Sequence, residues 1–432
     1  MNHLENIINK LQNKQNVFLT GGAGVGKTTI TKEVIEHFKS NAKKVARLAS
    51  TGMAATLIDG QTLHSFLDLG IASNLEELEQ NSKLEVKKKI RQLILSMDLI
   101  IIDEISMVSA SLFEMIEYRL NQSMFNGTIL VVGDFLQLPP ISKFSKDVKF
   151  AFESLSWCKQ NFHTIELKHI YRTDDKDFIK LLNEVRFAKI NEDVHNHLND
   201  YIKPLSENLS EFTFLFGKNI TASAHNKKQL SYIDNDLFIK EVKVVKHVKN
   251  VKEIDIDRFI NDARIEKELE LKIGVPVLFT RNAWNYFNGE RAIVINIDET
   301  YIFVQKADGK IIKLETISQT KTKWIEKTID GKKELVEEEL FSIYQFPIKL
   351  AFAITIHKSQ GMSIEDLIIE TNEIFAPSQF YVALSRSSNP KRLTLIAPKK
   401  QWNKLIFVNT KAFDFVVTKS NLLVDLSVLE KV

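Results

Sequence analysis

Short apolar runs alternate with stretches of helical periodicity through residues 1–170 of the chain. This alternation is typical of parallel sheets whose strands are joined by helices. The runs predict strands at residues 17–20, 44–49, 99–103, 128–133 and 163–167. Several of these runs end in a polar residue or a glycine. Because ligands bind at the carboxyl ends of parallel strands, the residues that follow the runs are the first candidates for a site.

A second α/β pattern begins near residue 211. EFTFLFG predicts a strand and ITASAHNKKQL a helix, and IKLAFAITIH, DLIIE and RLTLIA predict further strands. We therefore expect an α/β fold with two parallel-sheet units. The first would comprise residues 1–66 and 97–170, and the second residues 171–280 and 342–432.

Two segments break the alternation. Residues 67–96 are charged and lack a strand pattern, which predicts a small helical insertion; a single exposed amphipathic helix is the alternative. Residues 281–341 contain the short runs AIVINI, YIFVQK and KIIKLE, with turn signals at Asn288-Gly289 and Asp308-Gly309. Short strands with tight turns predict a small β-barrel inserted in the second unit.

The composition is that of a globular protein: 432 residues, 44% hydrophobic and 26% charged. The net charge of +3 neither requires nor excludes nucleic acid as a partner. A single cysteine, Cys158, rules out an internal disulfide and favours a reducing compartment; we expect it to be buried. With no signal-peptide pattern and no apolar run of membrane-spanning length, a cytoplasmic protein without membrane contact is the expectation.

Residues 21–29 read GGAGVGKTT and directly follow the first predicted strand. The spacing is that of a phosphate-binding loop, in which glycines let backbone N–H groups approach a polyphosphate. Lys27 would reach the β- and γ-phosphates, and the Thr28 hydroxyl would bind Mg²⁺. A merely glycine-rich turn is the weaker alternative. The candidate nucleotide-binding residues are Gly21, Gly22, Ala23, Gly24, Val25, Gly26, Lys27, Thr28 and Thr29.

LIIIDE at residues 99–104 predicts a buried strand that ends in two carboxylates. Downstream of a phosphate loop, such a pair indicates the hydrolytic half of a nucleotide triphosphatase site. Asp103 would hold Mg²⁺, and Glu104 would orient and deprotonate the attacking water. An acidic pair in an ordinary turn is the alternative.

TILVVGDFLQLPP at residues 128–140 places Gln137 on the loop that leaves another strand. A glutamine near the γ-phosphate can hold the attacking water and sense the nucleotide state. The alternative is an incidental glutamine in a surface loop.

Arg172 and Arg386 are candidates for transition-state stabilisation. Arg172 follows the last strand of the first unit, and Arg386 lies on a predicted helix of the second, in FYVALSRS. An arginine finger contributes about 10³–10⁵ in rate by neutralising the phosphoryl oxygens. Each arginine taken alone is more often a surface cation.

Three segments have features suited to a nucleic-acid strand: STGMAA at 50–55, TLHSF at 62–66 and TIHKSQG at 355–361. The first offers small residues and N–H groups to a phosphate backbone. In the second, Phe66 is either a stacking ring or a core aromatic. In the third, His357 and Lys358 are candidate donors, and a structural histidine is the alternative for His357.

The motifs GGAGVGKTT, STGMAA, TLHSF, IIDEISM, VVGDFLQLPP, the YR before DFIKLLNEVR, AITIHKSQGMS and YVALSRS follow one another in this order. In this order they resemble the petite-integration-frequency (Pif) family of superfamily-one DNA helicases, a class related to RecD-like enzymes. The resemblance extends over residues 17–397. EISMVSASLFEMIEYRL is similar to the segment that distinguishes this family from the RecD-like helicases.

The resemblance implies two RecA-like lobes with ATP and Mg²⁺ in the cleft between them. It also implies a wedge at 67–96 and an SH3-like barrel at 281–341. It implies DNA-stimulated ATP hydrolysis, 5′-to-3′ movement on single-stranded DNA and unwinding of tailed or forked duplexes. The implied cellular roles are repair, recombination or genome maintenance. When the family's motifs are matched residue by residue, the resemblance implies catalytic roles for Lys27, Asp103, Glu104, Gln137, Arg172 and Arg386. It implies contact with single-stranded DNA for Thr51, Gly52, His64, Phe66, His357 and Lys358.

The chain departs from the family pattern at three places. Ser109 stands where an acidic residue is common, Ala292 replaces a glycine, and the adenine-reading glutamine has only Gln12 and Gln15 as weak matches. The expected state is a monomer, or a dimer on DNA. An ATP-gated DNA remodeller without unwinding and a small-molecule kinase remain as alternative functions.

Overall fold

A computed structural model of the chain describes residues 3–50, 54–55, 58–70, 72–81, 84–140, 149–205, 209–263, 265–329 and 332–420. Its first sheet has six parallel strands in the order β3-β2-β4-β5-β1-β6. The strands are β1 (Val17–Thr20), β2 (Val45–Ala49), β3 (Gln61–Thr62), β4 (Leu99–Asp103), β5 (Thr128–Val132) and β6 (His163–Glu166). The five predicted strands are confirmed to within one residue at each end. The sequence analysis missed β3, because a two-residue strand carries no periodicity.

Both faces of the first sheet are buried, as the continuous apolar runs require. Val17, Leu19 and Ile101 face one core, and Phe18 and Ile102 face the other. The helices of this part of the chain are α1 (His3–Gln12), α2 (Lys27–Ser40), α3 (Leu63–Phe66), α4 (Leu75–Gln80), α5 (Lys88–Leu95), α6 (Ala110–Gln122) and α7 (Leu155–Lys159).

Helices α4 and α5 lie in the segment for which a helical insertion is predicted, and the described residues of 67–96 include no strand. The structure therefore has two helices in this segment, where the alternative prediction was a single exposed helix. Leu69, Leu78 and Ile94 are fully buried and join the same core as the strands of the first sheet. This segment is therefore packed onto the first sheet.

Helix α6 is preceded by Ser109, the first of the three departures from the family pattern. The Ser109 hydroxyl accepts a hydrogen bond from the Leu112 backbone N–H at 3.2 Å, which caps the helix. A serine at this position therefore serves the local structure.

The second sheet is also parallel, in the order β18-β7-β19-β20. Its strands are β7 (Thr213–Phe216), β18 (Ala353–Thr355), β19 (Leu367–Ile369) and β20 (Leu393–Leu395). The remaining helices are α8 (Lys176–Arg186), α9 (Glu192–Asn199), α10 (Asn219–Ser231), α11 (Glu253–Asp262), α12 (Gln379–Leu384) and α13 (Thr410–Ser420). Two parallel sheets with helices confirm the predicted α/β class.

Three antiparallel sheets lie between β7 and β18 in the sequence. The largest, which we call the inserted sheet, has the order β14-β13-β12-β11-β17; the others are β15-β16-β9 and β10-β8. Their strands are β8 (Phe238–Glu241), β9 (Lys243–Lys246), β10 (Glu268–Leu271), β11 (Pro276–Phe279), β12 (Arg291–Ile297), β13 (Ile302–Lys306), β14 (Ile311–Leu314), β15 (Ile317–Ile329), β16 (Lys332–Gln345) and β17 (Ile348–Leu350).

Two of the expected domain bounds need correction. The range 281–341 is too narrow for the inserted sheet, because β11 and β17 pair with each other outside it. The range 342–432 does not belong to the second unit alone, because α13 packs against the core of the first sheet. Phe415 of α13 stacks on Phe152 with ring centroids 4.3 Å apart, and Ala412 and Phe413 are buried in the same core. Packing between apolar side chains so far apart in the sequence leaves no local pattern from which it could be predicted.

Cys158 is exposed on α7 and forms no disulfide, which corrects the expectation that it is buried. Its neighbour Trp157 occupies the core position of that short helix. Within the described residues, no helix has the length and apolar character needed to traverse a bilayer.

Candidate nucleotide and DNA site

The phosphate-loop segment connects the buried strand β1 to α2, as the sequence predicts. Gly21, Gly24 and Gly26 have φ values of 138°, 77° and 86°, a region that disfavours side chains. A Cβ on Gly21 would lie 2.3 Å from the Leu167 carbonyl oxygen. The glycines are therefore required by backbone geometry as well as by access for phosphate.

Lys27 is the first residue of α2, and its ammonium group donates to the carbonyl oxygens of Gly21 and Gly22, both at 2.8 Å. Burial lowers the pKa of Lys27, and the carboxylates of Asp134 and Glu104 oppose that shift. Among the described residues, no side chain caps the N-terminus of α2. Its free N–H groups and dipole, together with Lys27, make an anion site at the end of β1.

Asp103 is the last residue of β4 and Glu104 follows it, and the Glu104 backbone N–H donates to Asp103 Oδ1 at 2.8 Å. Glu104 has a φ of 52°, a strained conformation that turns it away from the strand direction. Burial, followed by the neighbouring Glu104 carboxylate, raises the pKa of Asp103 to about 7. Burial also raises the pKa of Glu104.

This acidic pair fits a hard cation. A bound Mg²⁺ is usually held by one or two carboxylates, a hydroxyl and the substrate phosphates. Asp103 offers carboxylate oxygens and is buried beside a second carboxylate, so a bound cation would compensate its negative charge. Thr28 offers a hydroxyl oxygen at the start of α2. The described residues contain no separate group of three or more His, Cys, Asp and Glu side chains suited to a metal.

Gln137 is held by the turn that follows β5. Its backbone N–H donates to the Asp134 carbonyl oxygen at 2.9 Å, and its side-chain Nε2 lies 3.5 Å from Asp134 Oδ2. Asp134 is in turn paired with Arg186 of α8, which donates to its two carboxylate oxygens at 3.0 and 2.9 Å. Gln137 is thus tied to α8, a helix that packs in the core of the second sheet.

Arg386 is buried and Arg172 is half-buried, and both border the same cleft as Lys27. Arg172 donates from Nε to Ser363 Oγ at 2.9 Å and from Nη1 to the Ser385 carbonyl oxygen at 2.5 Å. Arg386 donates to Val382, Ser359 and Ser385. Burial, followed by the neighbouring Arg386 guanidinium, lowers the pKa of Arg172 to about 9. Burial lowers the pKa of Arg386 to about 10, and Tyr381 and Glu104 oppose that shift. An anion in the cleft would offset the cost of burying these two guanidinium charges.

The cleft has a volume of about 770 Å³. It brings together five of the six predicted catalytic residues; the sixth, Asp103, is 8% exposed beside Glu104. Gln12 and Gln15 are not among the described residues that border it. The predicted residues on its wall are Ala23, Gly24, Val25, Gly26, Lys27, Thr28, Thr29, Glu104, Gln137, Arg172 and Arg386.

Sequence reasoning missed several residues around the cleft. The Tyr381 hydroxyl of α12 accepts a hydrogen bond from the Ala23 backbone N–H at 2.8 Å, which joins the phosphate loop to the second unit. Tyr171 is exposed, and its ring lies 3.7 Å from where a Cβ on Gly26 would be. Asn288, from the inserted sheet, also borders the cleft. Only the position of Tyr171 beside Arg172 offered a sequence signal.

The DNA-binding predictions have mixed placements. Thr51 and Gly52 lie outside the described residues. His64 is half-buried on α3, but Phe66 is 4% exposed in the core, which favours the alternative of a core aromatic. The Ser65 hydroxyl contacts the Lys321 ammonium of β15. The TLHSF segment therefore faces a strand of the β15-β16-β9 sheet.

His357 and Lys358 form a short 3₁₀ turn directly after β18 and are half-buried. The Lys358 backbone N–H donates to Thr355 Oγ1 at 3.3 Å, which fixes the turn to the strand. Both residues lie at the carboxyl edge of the second sheet, as predicted, and neither borders the nucleotide cleft.

Comparisons with known proteins agree with this arrangement. A family model described as "PIF1-like helicase" matches residues 2–196. "ATP-dependent DNA helicase Pif1" of Campylobacter jejuni is 39% identical over 447 residues, covering 98% of this chain and 99% of that protein. The protein of the same name from Bdellovibrio bacteriovorus is 33% identical, covering 94% and 89%.

The solved structures of Pif1 from Bacteroides sp. are also similar. The complex with ADP-AlF4 superposes with a TM-score of 0.82 at 28% identity, covering 98% of this chain and 97% of that one. The Bacteroides structure bound to ssDNA has the same identity and coverage but a TM-score of 0.65. The arrangement of units described above is therefore more similar to the first of these structures.

Proposed function

Because this chain belongs to the family of PIF1-like helicases and is an ATP-dependent DNA helicase, we propose that it moves 5′-to-3′ along single-stranded DNA and separates the duplex ahead. Tailed and forked duplexes are its substrates in this proposal, and repair, recombination or genome maintenance its setting. It acts as a monomer, or as a dimer on DNA.

One observation carries the proposal: residues from both α/β units converge on one cleft. Lys27, Glu104 and Gln137 come from the first unit, and Arg386 comes from the second. A triphosphate held by Lys27 and the N-terminus of α2 would draw Arg172 and Arg386 toward its γ-phosphoryl group. The charge that develops there is then neutralised only when the units are closed.

The acidic pair supplies the hydrolytic chemistry in this proposal. Glu104 orients a water and accepts its proton, while Gln137 holds the same water near the γ-phosphate. Thr28 and Asp103 would hold Mg²⁺, which neutralises charge on the β- and γ-phosphate oxygens when it is bound. Two observations support this role: Glu104 borders the cleft, and its φ of 52° turns the chain sharply at the end of β4.

Movement follows if the two units grip the strand separately. Thr51, Gly52 and His64 belong to the first unit, and His357 and Lys358 to the second. Closing and reopening the cleft would change the spacing between these grips, so each cycle of hydrolysis would advance one grip and then the other. In this scheme residues 67–96 act as the wedge, and the inserted sheet is the SH3-like domain.

The test is displacement of a labelled strand from matched duplexes that carry either a 5′ or a 3′ single-stranded tail, with ATP and Mg²⁺. We expect unwinding of the 5′-tailed duplex only. Lys27→Ala is the matched inactive control and should retain some DNA binding. Preference for the 3′ tail would reverse the proposed polarity, and DNA-stimulated hydrolysis without displacement would favour an ATP-gated remodeller.

A further inference from the structure

The inserted sheet reaches the nucleotide cleft through one loop, residues 280–290, which connects β11 to β12. We call this segment the asparagine loop, after Asn282 and Asn288. Both asparagines border the cleft, as does the phosphate loop. No motif considered in the sequence analysis placed this part of the chain near the nucleotide.

The asparagine loop is firmly attached to the inserted sheet. Lys306 of β13 forms an ion pair with Glu290 at 2.8 Å and donates to the Asn285 carbonyl oxygen at 3.1 Å. Tyr286 stacks on Phe279 of β11, with centroids 4.1 Å apart. A displacement of the sheet must therefore displace the loop.

The tip of the loop is packed against the segment that holds Arg172. Gly289 has a φ of 89°, and a Cβ there would lie 2.6 Å from the Ser363 carbonyl oxygen and 2.9 Å from Met362 Cβ. The Ser363 N–H donates to the Asn288 carbonyl oxygen at 3.4 Å. Ser363 Oγ in turn accepts a hydrogen bond from Arg172 Nε at 2.9 Å. The loop thus contacts the residue that orients the guanidinium of Arg172.

Asn288 adds an independent observation. It is 7% exposed, and its side-chain oxygen has no hydrogen-bond partner among the residues that the structure describes. Its backbone N–H, by contrast, donates to Asn282 Oδ1 at 2.8 Å. A buried acceptor without a donor is costly, and this one borders a cleft that holds the cations of Lys27, Arg172 and Arg386.

We propose that the asparagine loop is a positioning element for hydrolysis: through Gly289 and Ser363 it sets the orientation of Arg172 and so links the placement of the inserted sheet to γ-phosphate cleavage. The inference rests on the proposed role of Arg172 in phosphoryl transfer. Gly289 and Ser363 act through Arg172, and neither is itself a catalytic residue.

The test exploits two glycines in comparable turns of the inserted sheet. Gly289→Ala forces a methyl group against Ser363, whereas Gly309, with a φ of 80°, has no atom of a described residue within 4 Å of its ideal Cβ position. Gly309→Ala is therefore a control for backbone strain alone. We expect Gly289→Ala to lower kcat for DNA-stimulated ATP hydrolysis by about tenfold or more, since a displacement of about 1 Å can cost about 10²-fold in rate. KM for ATP should change by less than about threefold, and Gly309→Ala should match the wild type.

Two further measurements separate positioning from general damage. Affinity for ADP with aluminium fluoride should fall in Gly289→Ala by a factor similar to that in kcat, with affinity for ADP alone preserved. In an Arg172→Ala background, Gly289→Ala should cause little additional loss. Equal kcat in Gly289→Ala and Gly309→Ala, or a full additional loss in the Arg172→Ala background, would overturn the proposal.

If Gly289→Ala fails to fold, Ser363→Ala removes the hydrogen-bond acceptor without adding an atom, and Ser363→Thr restores it. The expected pattern is a lower kcat for the alanine variant and recovery in the threonine variant; identical kcat values in both would also overturn the proposal. The readout is hydrolysis, so an absence of 5′-to-3′ unwinding in the wild type would count against the proposed function alone.

Discussion

Arg186 holds the carboxylate of Asp134 through two parallel hydrogen bonds, with 5% and 0% of the two side chains exposed. The pair joins α8 to the loop that carries Gln137. Burial opposes the charge of Arg186, but Asp134, Tyr381 and Glu166 together more than compensate and raise the pKa of the guanidinium. Asp134 contributes most to this compensation, so the two buried charges depend on each other.

Removing one member of this pair should be more harmful than removing both. Arg186→Met leaves the buried Asp134 carboxylate without its partner, and Asp134→Leu leaves Arg186 with only the longer 3.9 Å pair to Glu166. Breaking a buried pair typically costs about 3–5 kcal/mol, whereas an apolar pair of similar volume is often tolerated. Thermal unfolding should show a lower Tm for each single variant than for the double variant. Lys43→Met, which breaks an exposed pair with Asp98, is the control and should hardly alter Tm. Additive losses in the double variant would show that the pair is not coupled.

Lys27→Ala should abolish ATP hydrolysis and strand displacement while leaving part of the DNA affinity. The reason is that its ammonium group contacts the phosphate loop, whereas the candidate DNA contacts His64, His357 and Lys358 do not border the cleft. Hydrolysis is measured by phosphate release, and binding by the fluorescence anisotropy of a labelled oligonucleotide. Normal unwinding by this variant would show that the cleft is not the site of the ATP hydrolysis that drives unwinding.

Arg172→Ala and Arg386→Ala should each lower the rate of hydrolysis by about 10³-fold or more, with a much smaller effect on ADP affinity. The two should differ in stability. Arg386 donates to three groups within its own unit, so its loss should lower Tm, whereas Arg172 bonds across to Ser363 and Ser385. Arg258→Ala, at an exposed position of α11, serves as control. Wild-type rates in either cleft variant would exclude that arginine from the chemistry.

Without metal and nucleotide, the protein should lose stability as pH rises from about 4 to about 7, in part because of Asp103. Its folded pKa of about 7 lies above the ordinary 3.8, so the folded state binds the proton more tightly and loses that advantage on ionisation. Asp103→Asn should therefore raise Tm at pH 8, with the difference shrinking toward pH 4, and should abolish hydrolysis. Parallel Tm profiles for the two proteins between pH 4 and 8 would refute this explanation.

Much of the fold and the centre of the cleft could be predicted because their determinants are local. The phosphate loop, the acidic end of β4 and the five strands of the first sheet are each encoded within a few residues. By contrast, Tyr381 and Ala23 are 358 positions apart, and their hydrogen bond depends on how the two units dock. The burial of Phe66 is equally non-local, because an aromatic after a polar pair is compatible with stacking or with a core.

The antiparallel region shows a different limit. Asp330-Gly331 between alternating segments is a hairpin signal that could have revealed the long pairing of β15 with β16. That β17 returns to pair with β11 could not have been found in this way, because sheet closure is set by tertiary packing.

The contact between Lys321 and Ser65 has an electrostatic consequence. Any polyanion that approaches the TLHSF segment encounters an ammonium ion carried by a different sheet. A protein whose charges nearly cancel overall thereby presents a local cation beside this segment. Its hold on a phosphate backbone should weaken as salt rises, by an amount that the formal charge of the whole chain does not indicate.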